Sequence, residues 1–279
     1  MKMDFPIEET VKKRHSVRSY LNRPVPAAQK EQIRNYIAGL SNPFSIEVSF
    51  HLLENTLSAS GEKLGTYGVI KGASDFVGAS VAPGELGLEA VGYSFEQLIL
   101  YLTSLGFGTC WLGGTFDRSG FGAAMKLNKG ELFPAISPIG YSQEKRRAMD
   151  SVARFIAKSD QRLPWDKLFF KDDFSQPLTQ AGAGEYAFPL EMLRLAPSAA
   201  NKQPWRIILD RDTYHFYELH SMRDHKLGID LQRTDVGIGA CHFHLAAQER
   251  DLTGQFVKLP EPEIQKPSQM CYLFSWKTA

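Results

Sequence analysis

The feature that most constrains the fold is a long apolar helix that occurs twice. Residues 87–105 and 235–252 are both mostly apolar and both contain glycine. Apolar residues lie nearly all round the first helix, which predicts burial on every face. An offset of 147 residues places Leu252 on Leu105 and Gly239 on Gly92. We therefore predict an internal duplication, although a helix with glycine is a loose template and spacing alone leaves coincidence equally open.

Composition and charge exclude several classes of partner. The chain has 279 residues, of which 43% are hydrophobic and 23% charged, and its formal net charge is +1. This balance gives no bulk electrostatic reason to bind nucleic acid. No run approaches the ~20 apolar residues of a membrane span, and the first residues lack the apolar stretch of a signal peptide. We therefore predict a cytoplasmic protein with no nucleic-acid or membrane partner.

The cysteines and histidines do not indicate a metal centre. Cys110, Cys241 and Cys271 are widely spaced in apolar runs and form no Cys-x-x-Cys pair, so we predict buried thiols in a reducing compartment. His242 and His244 lie two apart on a predicted helix, which puts them on different faces. The chain also lacks a Gly-x-Gly-x-x-Gly, a Walker loop, a His-Glu-x-x-His and a Gly-x-Ser-x-Gly motif. No metal site is predicted.

Hydrophobic periodicity predicts alternating helices and strands in two halves. Helical patterns cover residues 7–13, 27–40, 87–105, 188–195 and 235–252, and strand patterns cover 48–53, 76–81, 135–141, 205–209, 214–219 and 271–276. We predict an N-terminal half over residues 1–150, a linker over 151–185 and a C-terminal half over 186–279.

Two basic stretches are candidates for binding a phosphate. Residues 14–18 (RHSVR) carry two guanidinium groups and a hydroxyl, which suit a phosphate. The alternative is a solvated helix end, where basic residues are also favoured. Residues 145–147 (KRR) follow a predicted strand and could reach the same phosphate, but a surface charge run is the commoner explanation for such a triplet.

Two loops are candidates for contact with a ligand. Residues 106–114 (GFGTCWLGG) contain four glycines, whose bare N–H groups could approach a planar ligand; the alternative is a helix stop. Residues 196–205 (APSAANKQPW) join a helix to a strand, with two prolines that fix the backbone and amides that donate and accept. An ordinary connection would also use these residue types.

Taken together, these stretches resemble the FMN-dependent nitroreductase family. Residues 13–20 with Arg23-Pro24-Val25 look like the family's N-terminal phosphate-binding signature. Residues 105–114 look like its loop beneath the flavin ring, and residues 197–205 look like its Pro-Ser-x-x-Asn-x-Gln-Pro-Trp loop. The best match is the subgroup with a single, internally duplicated chain. The resemblance implies an α+β, nitroreductase-like fold with antiparallel or mixed sheets packed against helices.

The order of the motifs differs from that of ordinary members. In those, the Gln-Pro-Trp loop follows the Arg-Ser signature closely, whereas residues 40–44 here lack it and the second half carries it instead. Family sites form where two subunits meet. The resemblance therefore implies a monomer that acts as a pseudo-dimer and builds one FMN site from complementary halves.

The resemblance also implies residue roles. Arg14, Ser16 and Arg18, with Arg146 or Arg147, are expected to hold the FMN phosphate, and His15 to lie by the ribityl chain. The amides of Gly113 and Gly114 are expected to face flavin N5, although ordinary members often carry Glu where Gly113 stands. Lys71 is expected near the pyrimidine edge. Expected from the second half are Pro197, Ser198, Asn201 and Gln203.

The implied activity is a ping-pong oxidoreductase reaction. NADH or NADPH gives hydride to flavin N5, and a nitroaromatic, quinone or similar small acceptor then takes the electrons. The flavin carries the chemistry, so no catalytic side chain is expected. Two alternatives stay open, a non-catalytic protein that binds or sequesters flavin and a structural relative without cofactor.

Overall fold

The chain alternates helices and strands in an α+β arrangement with two separate sheets. The computed structural model describes residues 5–54, 64–143, 161–221 and 228–279. Its helices are α1 (Ile7–Lys13), α2 (Ala27–Ala38), α3 (Gly87–Ser104), α4 (Arg118–Ala124), α5 (Gln180–Ala183), α6 (Ala187–Leu195) and α7 (Leu231–Glu249). Its strands are β1 (Ser49–Glu54), β2 (Asp75–Val81), β3 (Gly108–Thr109), β4 (Leu132–Gly140), β5 (Phe169–Lys171), β6 (Asp173–Pro177), β7 (Trp205–Asp210), β8 (Thr213–Leu219), β9 (Gly254–Val257) and β10 (Met270–Thr278).

The chain divides into two compact units. The N-terminal unit comprises Lys13–Asn42 and Ile46–Arg147, and the C-terminal unit comprises Met1–Lys12, Pro43–Ser45 and Ala148–Ala279. The predicted linker over residues 151–185 carries structure of its own, because β5 and β6 belong to the C-terminal sheet. No helix in the described ranges is long and apolar enough to cross a membrane.

The N-terminal unit is built on a four-stranded antiparallel sheet in the order β1-β2-β4-β3. All seven residues of β2 are buried, which explains why this strand lacks polar alternation. Helix α3 packs against the sheet and buries nearly all of its residues, as its all-round apolar pattern predicts. The core of this unit joins the sheet to the segment that carries Val17 and Tyr20.

The C-terminal unit is built on a six-stranded sheet in the order β6-β5-β7-β8-β10-β9. Its core is aromatic: the rings of Phe216 and Phe274 stack 4.9 Å apart, and Phe243 and Trp276 meet edge to face at 5.6 Å. Phe44 joins this cluster, with its ring 5.1 Å from that of Phe274. Helix α7 packs against α6 and the strands β7 and β8.

The two units share a strand order. In the strands β1 to β4, and again in β7 to β10, the first two strands and the fourth form an antiparallel sheet, the third strand pairs with the fourth, and a long buried helix connects the second to the third. Strands β1, β2, β3 and β4 thus correspond to β7, β8, β9 and β10. This is the arrangement that an internal duplication would produce, and the duplication itself stays a prediction.

Several predicted elements needed correction. Helix α7 begins at Leu231 rather than at Asp235, because Asp230 caps it by accepting a 3.0 Å hydrogen bond from Gln232 N. The sequence reading missed α4 and β9, which are short. The prediction that all three cysteines are buried was wrong for Cys271, which is exposed on β10 between two buried neighbours. Side chains alternate across a strand, so an apolar run does not bury every member.

Candidate functional site

The candidate phosphate-binding segment runs between two other parts of the N-terminal unit. Ser16 forms a parallel bridge with Thr109 on β3, and Ser19 forms one with Lys71. Val17 N donates to Thr109 O at 2.8 Å, and Lys71 N donates to Arg18 O at 2.9 Å. The fold therefore brings together the basic segment, the glycine-rich turn and the Lys71 loop, which are far apart in sequence.

Two glycines make this arrangement possible. A Cβ on Gly108 would lie 2.9 Å from Val17 Cγ2, so a side chain there would push the basic segment away. Gly72 has φ +82°, and a Cβ on it would lie 2.2 Å from Tyr20 O. Glycine is required at Gly72 for both conformation and space.

The arginines of this segment carry buried donors without a hydrogen-bond partner in the part of the chain that the structure describes. Arg14 has only 7% of its side chain exposed, and its Nε lies 3.9 Å from the buried Glu96 Oε1. That separation is an ion pair but not a hydrogen bond. In the described residues, Arg14 Nε and Arg18 Nη1 are buried and have no hydrogen-bond partner. Unsatisfied buried cationic donors are costly, so they favour an anionic ligand at this position.

The Cys110 thiol lies near the basic segment. Burial raises the pKa of the Cys110 thiol, while Arg18, Ser16 and Arg14 all act in the opposite direction. Ser16 and the two arginines are therefore close enough to the thiol to affect its pKa. Neutral and buried, it contributes packing and no negative charge that would repel an anion.

The glycine-rich turn leaves β3 and returns to β4. Leu112 and Ile136 exchange two backbone hydrogen bonds, of 2.9 and 3.0 Å, and so fix the residues just before Gly113. Gly113 is half-buried, and its carbonyl accepts a hydrogen bond from Arg118 Nη2. Gly114 is exposed, and nothing lies within 4 Å of where its Cβ would be. The turn thus offers an open backbone surface that a flat ring could approach.

The remaining predicted residues of this half are either exposed or outside the described residues. His15 and Lys71 are exposed. The His15 ring is held by its Nδ1, which lies 3.0 Å from Lys13 O. Arg146 and Arg147 lie outside the described residues, so their predicted role at the phosphate is untested.

The predicted loop of the C-terminal unit uses its polar groups internally. Ser198 Oγ accepts from Gln203 N at 2.8 Å, and Asn201 Nδ2 donates to Gln161 O at 2.7 Å. Gln203 is buried, and its Oε1 accepts from Leu163 N at 2.8 Å. Pro197 is half-buried. These bonds hold the loop to residues 161–163 of its own unit.

The backbone of this loop is held in an unusual conformation. Ala200, Asn201 and Gln203 have φ of 48°, 54° and 48°, in the left-handed region that side chains seldom adopt. Asp235 supports them from below, since both of its carboxylate oxygens lie 3.0 Å from Ala199 N. Burial raises the pKa of Asp235 well above its usual range.

Sequence reading missed several supporting residues. Glu96 accepts from Trp111 Nε1 at 2.6 Å and lies near Arg14, so it links the turn to the basic segment. The sequence does contain a signal for Glu96, which is a carboxylate inside an apolar helix. A buried carboxylate needs hydrogen-bond or ion-pair partners. Arg162 donates to Asn201 Oδ1 at 3.2 Å and to Leu195 O at 2.9 Å. Nothing in the sequence marked Arg118 as a residue of the site.

A second polar cluster lies at the end of β8. His220 Nδ1 is 3.1 Å from Glu218 Oε1 and 3.4 Å from Asp230 Oδ2. Burial, and then the charge of Asp230, raise the pKa of Glu218 to about 7. The three residues could ligate a cation, but the contacts are equally those of an ion-paired histidine.

A comparison with models of protein families identifies the family of this chain. The model of the family described as "Putative TM nitroreductase" matches residues 6–247. The chain belongs to this family. A comparison with curated proteins gives no match.

Solved structures of nitroreductases are similar to this chain. A structure titled as a putative nitroreductase from Thermotoga maritima matches 99% of this chain and 95% of its own, with 21% identity and a TM-score of 0.61. A nitroreductase with bound FMN from Bacteroides fragilis matches 53% of this chain and 94% of its own, with 21% identity and a TM-score of 0.42. The predicted α+β nitroreductase fold is therefore confirmed, from the family match and the first of these structures.

Proposed function

We propose that this nitroreductase-family protein is an FMN-dependent oxidoreductase that takes electrons from NADH or NADPH and passes them to a nitroaromatic, a quinone or a similar small acceptor. Membership of the family supports an oxidoreductase. One solved neighbour is titled as carrying FMN and another as an NAD(P)H nitroreductase. The absence of paired cysteines in the described part of the chain supports a reducing, cytoplasmic location.

The observation that carries the proposal is the set of buried arginine nitrogens in the segment that pairs with β3, just before an open glycine turn. Among the described residues Arg14 Nε and Arg18 Nη1 have no hydrogen-bond partner, and Ser16 lies between them in sequence. A phosphate monoester at this segment would satisfy these donors, since guanidinium groups match phosphate geometry. Gly114 leaves room for a flat ring connected to that phosphate.

FMN, when bound, supplies the hydride-transfer chemistry, and the protein supplies binding and orientation. Arg14, Ser16 and Arg18 would hold the phosphate, and Arg146 or Arg147 would add a further donor. His15 would lie by the ribityl chain, and Lys71 would stabilise negative charge at the pyrimidine edge. The N–H groups of Gly113 and Gly114 would donate towards N5.

The C-terminal half completes the site in this proposal. Pro197, Ser198, Asn201 and Gln203 match the family's loop motif, whereas the N-terminal half lacks it. The complementary motifs support one FMN per chain and a protein that works as a monomer. This part of the proposal rests on the sequence motifs.

The activity is tested by anaerobic reduction of the FMN-loaded protein. We expect NADH or NADPH to bleach the flavin absorbance and an added nitroaromatic or quinone to restore it. Bound FMN that neither nicotinamide bleaches would replace the enzyme with a protein that binds or sequesters flavin. A colourless protein that takes up no added FMN would indicate a structural relative without cofactor.

A further inference from the structure

Arg118 occupies a position that is unfavourable for a cation. It is the first residue of α4, where the helix dipole opposes positive charge. It is half-buried, and burial lowers the pKa of its guanidinium. Its Nε and Nη1 are buried and have no hydrogen-bond partner among the described residues. A position this costly calls for a compensating role.

The contacts of Arg118 are directed at the glycine turn. Its Nη2 donates to the carbonyl of Gly113 and lies 3.4 Å from Pro134 O on β4. Its guanidinium carbon lies 4.6 Å from the centre of the Phe116 ring, which supports the cation from one face. Arg118 therefore joins the turn to the sheet.

The planar peptide bond between Gly113 and Gly114 links the Arg118 contact to the orientation of a group on the other side of the turn. The carbonyl of Gly113 and the N–H of Gly114 belong to one peptide plane, and no peptide in the described residues is cis. In a trans peptide these two groups point in opposite directions. When Arg118 holds the Gly113 carbonyl, the Gly114 N–H is directed away from Arg118. The exposure of Gly114 and the open space around it agree with this direction.

We propose that Arg118 is a positioning residue that aims and polarises the Gly114 N–H towards the flavin. The inference rests on the proposed function, because Gly114 matters to catalysis only if FMN lies over the turn. A cation bonded to a carbonyl draws electron density through the peptide and makes the N–H at its other end a stronger donor. A donor fixed in advance costs no reorganisation during the reaction.

The first test needs no flavin. In the full-length protein, the amide resonance of Gly114 is compared by NMR between the wild type, Arg118→Gln and Arg118→Lys. We expect its proton to move upfield in Arg118→Gln, because the polarising charge is lost, and to move less in Arg118→Lys. Lys126→Gln removes an exposed cation just after α4 and is the matched control, in which the Gly114 signal stays in place.

The second test uses the FMN-loaded protein. We expect Arg118→Gln to make the midpoint potential of bound FMN more negative and to slow its reduction by NAD(P)H about 10-fold, less than the 10²–10³-fold loss of a whole donor. Arg118→Lys should recover part of both changes. If Arg118→Gln does not fold, Arg118→Lys alone decides, with a shift in the Gly114 resonance expected.

The outcomes separate the two proposals. A lower melting temperature with unchanged Gly114 resonance and unchanged potential would overturn the positioning role and leave Arg118 a structural residue. A wild-type protein that binds no FMN would overturn the proposed function, whereas the NMR comparison would still decide whether Arg118 directs the Gly114 N–H.

Discussion

The two units share a strand order but differ in their unsatisfied buried groups. In the described part of the N-terminal unit, the buried nitrogen donors without partners all belong to arginines, Arg14, Arg18 and Arg118. In the described part of the C-terminal unit, the nitrogen of this kind is the neutral Nε1 of Trp205, and the hydroxyls of Tyr217 and Thr234 are also buried without a hydrogen-bond partner. An anion would relieve the cationic donors and gains less from the neutral groups. A shared order of four strands therefore does not give the two units equal ability to bind a phosphate.

Two glycines differ in how closely they are packed. No described atom lies within 4 Å of where a Cβ on Gly114 would be, whereas a Cβ on Gly254 would lie 2.6 Å from both Lys277 O and the Trp276 ring. Gly254 begins β9, the counterpart of β3, and a Cβ on Gly108 in β3 would likewise lie only 2.9 Å from Val17 Cγ2. The open position at Gly114 therefore lies beyond the strand that the two units share.

The largest expected effect is on FMN affinity when the basic segment is changed. Arg14→Gln and Arg18→Gln each remove a charge-assisted bond to the phosphate, about 1.5–3 kcal/mol, so we expect FMN to bind about 10- to 150-fold more weakly. Flavin fluorescence titration measures this.

Arg34→Gln is the matched control for these two variants. Arg34 is a half-exposed arginine of the same unit, and it pairs with Glu31 and Glu54. We expect its loss to leave FMN affinity unchanged. Equal weakening in all three variants would mean that net charge, and not the basic segment, attracts the flavin.

Replacing Gly254 and replacing Gly114 by alanine should have opposite effects on stability and on FMN binding. Gly254→Ala overpacks Trp276 and should lower the free energy of unfolding by about 1–3 kcal/mol. Gly114→Ala meets no neighbour, so it should leave stability nearly unchanged while weakening FMN binding. Urea unfolding and FMN titration of both variants check this. Loss of stability in Gly114→Ala with intact FMN binding would contradict the expected difference between these two glycines.

A smaller effect is expected at Asn201, if the C-terminal loop contributes to the site. Asn201→Gly keeps the left-handed backbone but removes the amide, so we expect FMN to bind about 2- to 10-fold more weakly, as for one neutral hydrogen bond. Lys202→Ala, at an exposed neighbour, is the control. Unaltered FMN affinity in Asn201→Gly would contradict the two-half site.

A separate expectation concerns stability, which should depend on pH through the C-terminal unit. The pKa of Glu218 rises from 4.5 to about 7 on folding, and His220, Asp230 and Arg233 are the charges that act on it. The folded state holds this proton more tightly, so the stabilisation is present at low pH and is lost as the pH rises from about 4.5 to about 7.

Glu218→Gln isolates that contribution. The amide mimics the protonated acid, so the variant should match the wild type in urea unfolding at pH 5 and be more stable at pH 8. Equal stability at both values would show that Glu218 titrates normally in the folded protein.

Much of the fold could be predicted because local signals agreed with tertiary structure. The all-round apolar pattern of α3 gave its burial and, to one residue, its end. Helix α1 has the predicted bounds, Ile7 to Lys13. The failures were elements without a strong local pattern, such as α4 and β9, and the buried interpretation of Cys271.

The candidate site was predictable only as separate sequence motifs. The composition of residues 14–18 and of 106–114 marks both stretches as candidates. The pairing of Ser16 with Thr109 is what brings the two stretches together. The contact of Glu96 with Trp111 joins a helix to the turn that follows it, and that of Arg118 with Gly113 depends on the conformation of the chain between them. No local rule predicts such pairs. Sequence also marked Gln203 as a ligand contact, whereas its described bonds hold Leu163 and Asn201.

The most direct test of the central claim is the stoichiometry of FMN binding to the full-length chain. Spectroscopic titration of the wild type and of the double variant Arg14→Gln, Arg18→Gln should give one FMN per wild-type chain and a large loss of binding in the variant. Two FMN per chain, or one FMN bound with equal affinity by both proteins, would contradict the account that the N-terminal unit anchors a single flavin.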